Sequence, residues 1–403
     1  MKVTIHPSTA HGTVKAPPSK SMAHRALICG ALSEESTIRN IAYSQDIEAT
    51  LHCLEAMGAS VKRQKDCVTI GGLDPFSIPP FTVLNCGESG STLRFLLPLC
   101  LLSGNPIILK GSQRLLERPL GVYEEICREQ NLTFLRIDGA ITVCGQLSAG
   151  LYRVPGSISS QFITGLMLTL SLLKADSTIE IVAPFESRSY VRMTQILQNQ
   201  FGIDVHFAQT QLLVKGSSRY RSIDYTVEGD CSNAAFLDGF NLIGGGVKVV
   251  GLSPETAQGD RVYRDFYRQI QEGWNKFDLS DCPDLGPVMF AVAAALGGAA
   301  FTGTARLRIK ESDRVAAMVQ ELAKFGIATK VEDNAVRICA GRLVHPTQVL
   351  CGHNDHRIVM ALSLLCSKVG GVIDGAEAVA KSYPDFFDVI RSLGIEVIVD
   401  DIS

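Results

Sequence analysis

The sequence predicts an α/β protein of two similar domains, each built from three copies of one unit, and three observations carry that expectation. An apolar helical run that stops at glycine and resumes as an alternating strand recurs at Leu54–Val61, Leu197–Val205, Leu322–Thr329 and Ile390–Val397. A degenerate copy, Ile126–Thr133, has Asn131 where the others have glycine; both residues suit the left-handed position that ends a helix. Next, loops of turn and capping residues open apolar helices at Ser21, Gly90, Ser159, Ser232, Asp284 and His356. A further series, Asp46, Arg118, Ser187, Arg261, Lys310 and Lys381, falls between them at the same period. Six copies of a unit of roughly 70 residues result, each with two helices and several strands, the fifth shortened by about twenty; a solenoid repeat is typically about 20–50 residues. Three units per domain put both loop series at one end of each domain. Two such ends facing one cleft would surround it with helix N-termini, which attract anions.

In the first copy, Ala16-Pro-Pro-Ser-Lys-Ser-Met-Ala-His-Arg-Ala-Leu27, two prolines stop the preceding structure and Ser19 offers a cap for a helix over Met22–Leu32. Free backbone N–H groups, two hydroxyls, Lys20 and Arg25 then make a candidate anion site. The second copy supplies Cys86-Gly-Glu-Ser-Gly-Ser-Thr92 before a helix over Thr92–Leu102, then Arg94 and Leu116-Glu-Arg-Pro119, where proline favours an extended Arg118. The third opens with Pro155-Gly-Ser-Ile-Ser-Ser-Gln161 before Phe162–Leu173, and the fourth with Gly229-Asp-Cys-Ser-Asn233.

The fifth copy holds Cys282-Pro-Asp284 and the densest charge cluster, Lys310-Glu-Ser-Asp-Arg314. On a helix Lys310 and Arg314 would share a face, with Glu311 pointing about 100° away. Asp284 suits either a helix cap or, with Glu311, proton transfer in a closed cleft. The sixth copy, His353-Asn-Asp-His356 followed by Arg357, invites a metal reading, but no other His/Cys cluster completes a site.

Composition narrows the classes. With 38 Lys+Arg against 41 Asp+Glu the net charge is −3, so broad nucleic-acid binding is disfavoured while a local basic site stays open. The longest apolar stretch, Val288–Phe301, is too short to span a bilayer, and the N-terminal Met1–His6 reads as a strand. Twelve scattered cysteines without a C-x-x-C pair read as reduced thiols of a cytoplasmic protein. No G-x-S-x-G elbow, Walker lysine or G-x-G-x-x-G fingerprint appears. What remains is an enzyme without a nucleotide that handles several anionic groups.

Seven ordered motifs now carry a resemblance: Pro18-Ser-Lys-Ser-x3-Arg-Ala-Leu27, Gly87-x-Ser-Gly-Ser-Thr-x-Arg94, Glu117-Arg-Pro119, Ser159-Ser-Gln161, Arg308-x-Lys-Glu-Ser-Asp-Arg314, Asn354-Asp-His-Arg357 and Lys381-x-x-Pro-Asp-Phe386. Over essentially its full length the chain resembles the 5-enolpyruvylshikimate-3-phosphate synthases, within the enolpyruvyl transferases. The resemblance implies an inside-out α/β barrel in each domain, built of three βαβαββ units, with the site in the interdomain cleft. Residues 14–227 would form one domain, and 1–13 with 228–403 the other. It also implies transfer of the enolpyruvyl group of phosphoenolpyruvate to the 5-hydroxyl of shikimate 3-phosphate, a step toward chorismate and the aromatic amino acids, by addition–elimination through a tetrahedral intermediate. No cofactor or metal is implied, nor a nucleic-acid or membrane partner, and the family leans monomeric.

Carried over residue by residue, shikimate 3-phosphate would meet Lys20, Ser21, Arg25, Ser159, Ser160, Gln161, Ser187, Asp284 and Lys310. Phosphoenolpyruvate would meet Lys20, Gly90, Arg118, Gln161, Arg314, Arg357 and Lys381. Asp284, Glu311 and Lys20 would be catalytic, with Glu311 protonating C3 and Asp284 taking the hydroxyl proton. One cation 4 Å from an anion contributes roughly 4 kcal/mol at an effective dielectric near 20, before desolvation. Glu88, Arg306 and Phe95 depart from the family pattern, and Gly90 leaves room at the phosphoenolpyruvate pocket, which implies inhibition by glyphosate. The related UDP-N-acetylglucosamine enolpyruvyl transferases would need Lys-Asn in the first motif and a cysteine near Arg118; here stand Lys20-Ser21 and Gln113–Arg118 without one. A non-enzymatic anion-binding protein would spread its positive charge over an exposed face and lack the Asp284/Glu311 pair.

Overall fold

The computed structural model describes residues 1–400. The chain forms two compact units, Pro18–Glu228, and Met1–Pro17 with Gly229–Ser403. The boundaries therefore fall at 17/18 and 228/229 rather than at 13/14 and 227/228. The cause is local: strand His11–Lys15 pairs in parallel with Gly246–Val250 along its whole length, and Asp230 N–H donates to Pro17 O, so the chain up to Pro17 stays with the later unit.

The unit Pro18–Glu228 holds helices α1 (Lys20–Ala31), α2 (Gln45–Met57), α3 (Gly90–Cys100), α4 (Gln113–Glu117), α5 (Gly121–Glu129), α6 (Ser160–Leu170) and α7 (Arg188–Gln200). Its three sheets share one plan: a parallel pair followed by an antiparallel hairpin. They run Asp224–Thr226, Ser36–Arg39, Cys67–Gly71, Ser60–Arg63; then Val83–Asn85, Ile107–Lys110, Ala140–Cys144, Thr133–Ile137; then Leu151–Pro155, Ser177–Val182, Gln211–Val214, Val205–Ala208. In the second and third sheets the first strand of the parallel pair leads into an apolar helix, α3 or α6, which supplies the crossover that parallel strands require; in the first sheet Asp224–Thr226, the last strand of the unit, returns to lie beside Ser36–Arg39.

The other unit holds α8 (Cys231–Leu242), α9 (Tyr263–Gln271), α10 (Gly286–Ala295), α11 (Arg314–Lys324), α12 (His356–Val369) and α13 (Phe386–Ser392). Two of its sheets repeat the four-stranded plan, and the N-terminal strand Lys2–Ile5 completes one of them between Gly371–Asp374 and Val397–Asp400. Its third sheet has only the parallel pair. The shortened copy is thus the fourth, not the fifth: α9 leads through Gly273 (φ +90°) directly to Lys276–Asp278, and the antiparallel hairpin is missing.

Helix ends follow the repeat. Gly58, Gly202, Gly326 and Gly394 have positive φ, as does Asn131 at +56°. Helices α1, α3 and α6 begin two residues before the expected starts, since Ser19, Ser89 and Ser159 cap them. Five helices are buried almost all round: nearly every residue of α1, α3, α6, α10 and α12 is inaccessible, so each is a central helix of its unit rather than a surface one. Their burial leaves the N-terminal turns, where the motifs lie, as the parts that carry polar chemistry. Among the described residues no helix is long and apolar enough to cross a membrane. All twelve cysteines are free and only Cys351 is exposed.

Candidate active site

In the unit Pro18–Glu228, the Ser19 hydroxyl accepts from Met22 N–H, which turns the start of α1 so that Lys20 meets Asp46, the second residue of α2, at 2.6 Å. Arg25, one turn on, is buried against neutral acceptors: Ser21 O at 2.6 Å, Thr194 Oγ1 at 2.7 Å, Tyr190 O and Thr164 Oγ1. Its guanidinium lies 5.0 Å from the Phe95 ring, so the departure at 95 serves as a cation–π partner. Burial pushes the Arg25 pKa down to about 10, countered weakly by Tyr190 and Cys29.

The start of α3 is tied to that of α6. Arg94 donates to Gln161 Oε1 at 2.7 Å and to Pro119 O at 2.9 Å, and Gln161 Nε2 donates to Ser91 Oγ. Ser159 caps α6 through Gln161 N–H, Ser160 is buried, and Ser187 enters α7 with φ +52°. Arg118 is extended (φ −64°, ψ 148°), as Pro119 demands. Its buried guanidinium lies directly over Gly90: a Cβ there would sit 2.6 Å from Nη1. Arg118 Nε and Nη1 have no acceptor, which marks a position ready for an anion.

In the other unit a buried charge cluster forms around Asp284 and Arg314. Asp284 Oδ1 accepts from Arg314 Nη1 at 3.0 Å and Lys310 Nζ at 3.4 Å, and Oδ2 accepts from Arg357 Nη2 at 3.1 Å. Arg314 also donates to Glu311 Oε2 at 2.7 Å and to Asp355 Oδ2 at 2.9 Å. Arg357 reaches Ser232 Oγ, and Lys381 donates to Asn354 O. Burial alone would raise the Asp284 pKa, but Arg357, Lys310 and Arg314 hold it well below the ordinary carboxylate range. Burial lowers Lys310 to about 8; Asp284 opposes the shift, while Arg314 and Arg306 add to it. Arg306, another departure, thus sits close enough to bias Lys310.

Two expectations change here. Lys310–Asp313 is not helical: α11 begins at Arg314 with Asp313 as its cap, so Lys310 and Arg314 converge on Asp284 through a bend and not along a helical face. Asp284 lies in the short turn Pro283–Leu285, the cap position of α10 falls to Leu285, and both Asp284 oxygens accept from cations. Asp355, in the loop that invited a metal reading, instead caps α12 through Arg357 N–H and pairs with Arg314. Among the described residues no group of His, Cys, Asp or Glu could hold a metal ion. Sequence reasoning missed Asp355 as a partner of Arg314 and Ser91 as a partner of Gln161. Asp46 was signalled by the periodic series, though not as the partner of Lys20.

Cation-rich helix starts beside a half-buried carboxylate suit a substrate with several negative groups and a proton to move. The family model for EPSP synthase (3-phosphoshikimate 1-carboxyvinyltransferase) matches residues 5–390. The chain is 39% identical to the 3-phosphoshikimate 1-carboxyvinyltransferase of Clostridium kluyveri over 98% of both chains. It is 35% identical to that of Clostridioides difficile over 97% of both. In fold it resembles EPSP synthase from Acinetobacter baumannii (TM-score 0.80, 22% identity, 99% of this chain and 100% of that one). It also resembles the enolpyruvyl transferase NikO from Streptomyces tendae (TM-score 0.79, 16% identity, 98% of each). The chain belongs to the EPSP synthase family.

Proposed function

We propose that this protein transfers the enolpyruvyl group of phosphoenolpyruvate to the 5-hydroxyl of shikimate 3-phosphate and releases phosphate. The observation that carries the reading is Asp284, a half-buried carboxylate kept ionised by Lys310, Arg314 and Arg357 with Glu311 on the same arginine. Two phosphates and two carboxylates arrive with the substrates, each phosphate adding a charge near −2. They compete with Asp284 and Glu311 for these cations. As the cations turn to substrate, Asp284 becomes a stronger base for the 5-hydroxyl proton, and Glu311 gains freedom to protonate C3. Attack of the 5-oxygen at C2 then gives the tetrahedral intermediate, and loss of phosphate with the C3 proton restores the enol ether.

In this reading phosphoenolpyruvate is received by Lys20, Gly90, Arg118, Gln161, Arg314, Arg357 and Lys381. Shikimate 3-phosphate is received by Lys20, Ser21, Arg25, Ser159, Ser160, Gln161, Ser187, Asp284 and Lys310. The open donors of Arg118 support the first assignment. Arg25 would act mainly through its field, its N–H groups already being engaged. The reading also takes the protein as a cytoplasmic monomer, which sedimentation at working concentration tests.

Phosphate release that requires both shikimate 3-phosphate and phosphoenolpyruvate is the expected outcome of the deciding assay. Release with UDP-N-acetylglucosamine as acceptor, or with no acceptor, would replace this reading.

A further inference from the structure

Four buried polar side chains of the unit Pro18–Glu228 form a chain that the reaction scheme does not use. His24 Nδ1 lies 2.8 Å from Thr50 Oγ1, and Thr50 Oγ1 lies 2.6 Å from Thr92 Oγ1. The Thr92 hydroxyl donates to Ser89 Oγ at 2.7 Å. All four are at most 1% exposed, and together they join α1, α2 and the first turn of α3.

A hydroxyl has one proton to give, so the chain has a direction. Because Thr92 donates to Ser89, Thr50 must donate to Thr92, and the Thr50 oxygen must then accept from His24 Nδ1–H. His24 is therefore the neutral Nδ1–H tautomer. Its buried Nε2 has no partner, and in this tautomer it is a bare lone pair. The reverse direction would strand an N–H in the interior, the costlier of the two defects. Burial, reinforced by Lys20 and Arg25, holds the His24 pKa well below the ordinary histidine value, and its ring meets Phe95 edge-on.

At the other end, Ser89 Oγ accepts from both the Thr92 hydroxyl and the Thr92 N–H (3.1 Å), which fills its two lone pairs. Its own proton is left to give. Ser89 caps α3 immediately before Gly90, against which the Arg118 guanidinium lies with two open nitrogens.

We propose that His24 is a positioning residue for the anion subsite at the start of α3: through Thr50 and Thr92 it fixes the Ser89 hydroxyl as a donor to the anion that Arg118 also receives. Taking that anion as the phosphate of phosphoenolpyruvate rests on the function proposed above; the direction of the chain does not. Two measurements test it. In ¹⁵N NMR of the wild-type protein the His24 ring should be protonated at Nδ1 and unchanged between about pH 5.5 and 8, a range within which an ordinary histidine would titrate. In steady-state kinetics, Thr50→Val and Ser89→Ala should each raise KM for phosphoenolpyruvate about tenfold, the scale of one lost hydrogen bond to a charged group. The KM for shikimate 3-phosphate should not move, and the double variant should be no worse than either single one. His24→Asn, which keeps an N–H near the Nδ1 position, should stay within about threefold of wild type, and His24→Leu should match Thr50→Val, since each breaks the same chain. An Nε2–H tautomer, an unchanged KM in Thr50→Val, or an equal loss for both substrates would overturn the proposal. A wild-type protein without phosphoenolpyruvate-dependent phosphate release would instead count against the function, and the tautomer would still decide the direction of the chain.

Discussion

Asp284 and Arg314 meet at 3.0 Å with the arginine almost fully buried, although 30 residues separate them in sequence. The same guanidinium binds Glu311 and Asp355, so one arginine organises three carboxylates, of which two are assigned to proton transfer or substrate contact. Arg314 itself is held protonated: burial works against its charge, but Asp355, Glu311 and Asp284 outweigh it. The cluster therefore stays charged in the empty protein and can rearrange when other anions arrive.

Lys310 provides the pH signature. Its pKa falls to about 8 from the ordinary 10.5, so it loses its proton just above neutrality. The kcat/KM for shikimate 3-phosphate should decline above pH 8, and Lys310→Arg should move the decline to higher pH. For stability the sign is fixed by linkage: below pH 8 the folded protein carries a cation it disfavours, and between pH 8 and 10.5 the unfolded chain binds more protons. The contribution of Lys310 to stability should therefore rise with pH across that window. A rate profile flat to pH 10 would contradict the assignment.

Asp355→Asn should destabilise the unit by about 3–5 kcal/mol, the usual cost of breaking a buried pair, because Arg314 would keep its charge without its doubly bonded partner. Urea unfolding measures this. The low pKa of Asp355, raised by burial but lowered more by Arg314, means its contribution is present above pH 4 and lost as pH falls through the folded value.

Gly90→Ala places a methyl group 2.6–3.0 Å from the Arg118 guanidinium, which has to move. The expected outcome is a raised KM for phosphoenolpyruvate, about tenfold, with fold stability within about 1 kcal/mol because the helix gains alanine propensity. Kinetics with each substrate varied in turn separates the two; a change confined to shikimate 3-phosphate would contradict the place given to Arg118.

Lys20→Met should reduce turnover by at least about 100-fold, the lower end for a catalytic group, while leaving a folded protein. Asp46 loses its 2.6 Å partner but remains in the favourable first turn of α2, so the stability loss should not exceed about 2 kcal/mol. Near-wild-type turnover would reduce Lys20 to a structural ion pair.

What short-range physics controls was legible in the chain of residues alone. Serine caps at 19, 89 and 159, left-handed exits such as Gly58 and Asn131, and the Pro-driven extension of Arg118 each depend on a few neighbouring residues. Their period revealed the repeated unit and named the helix starts. Which charges meet depends instead on how the folded elements pack. The bend at Lys310–Asp313 aims Lys310 and Arg314 at one carboxylate, and Asp355 turns from a loop residue into the partner of Arg314. The guanidinium of Arg118 lies over Gly90, 28 positions away in the chain. Such pairings depend on packing between helix starts far apart in sequence, and Coulomb energies vary with distance and burial that no local pattern encodes.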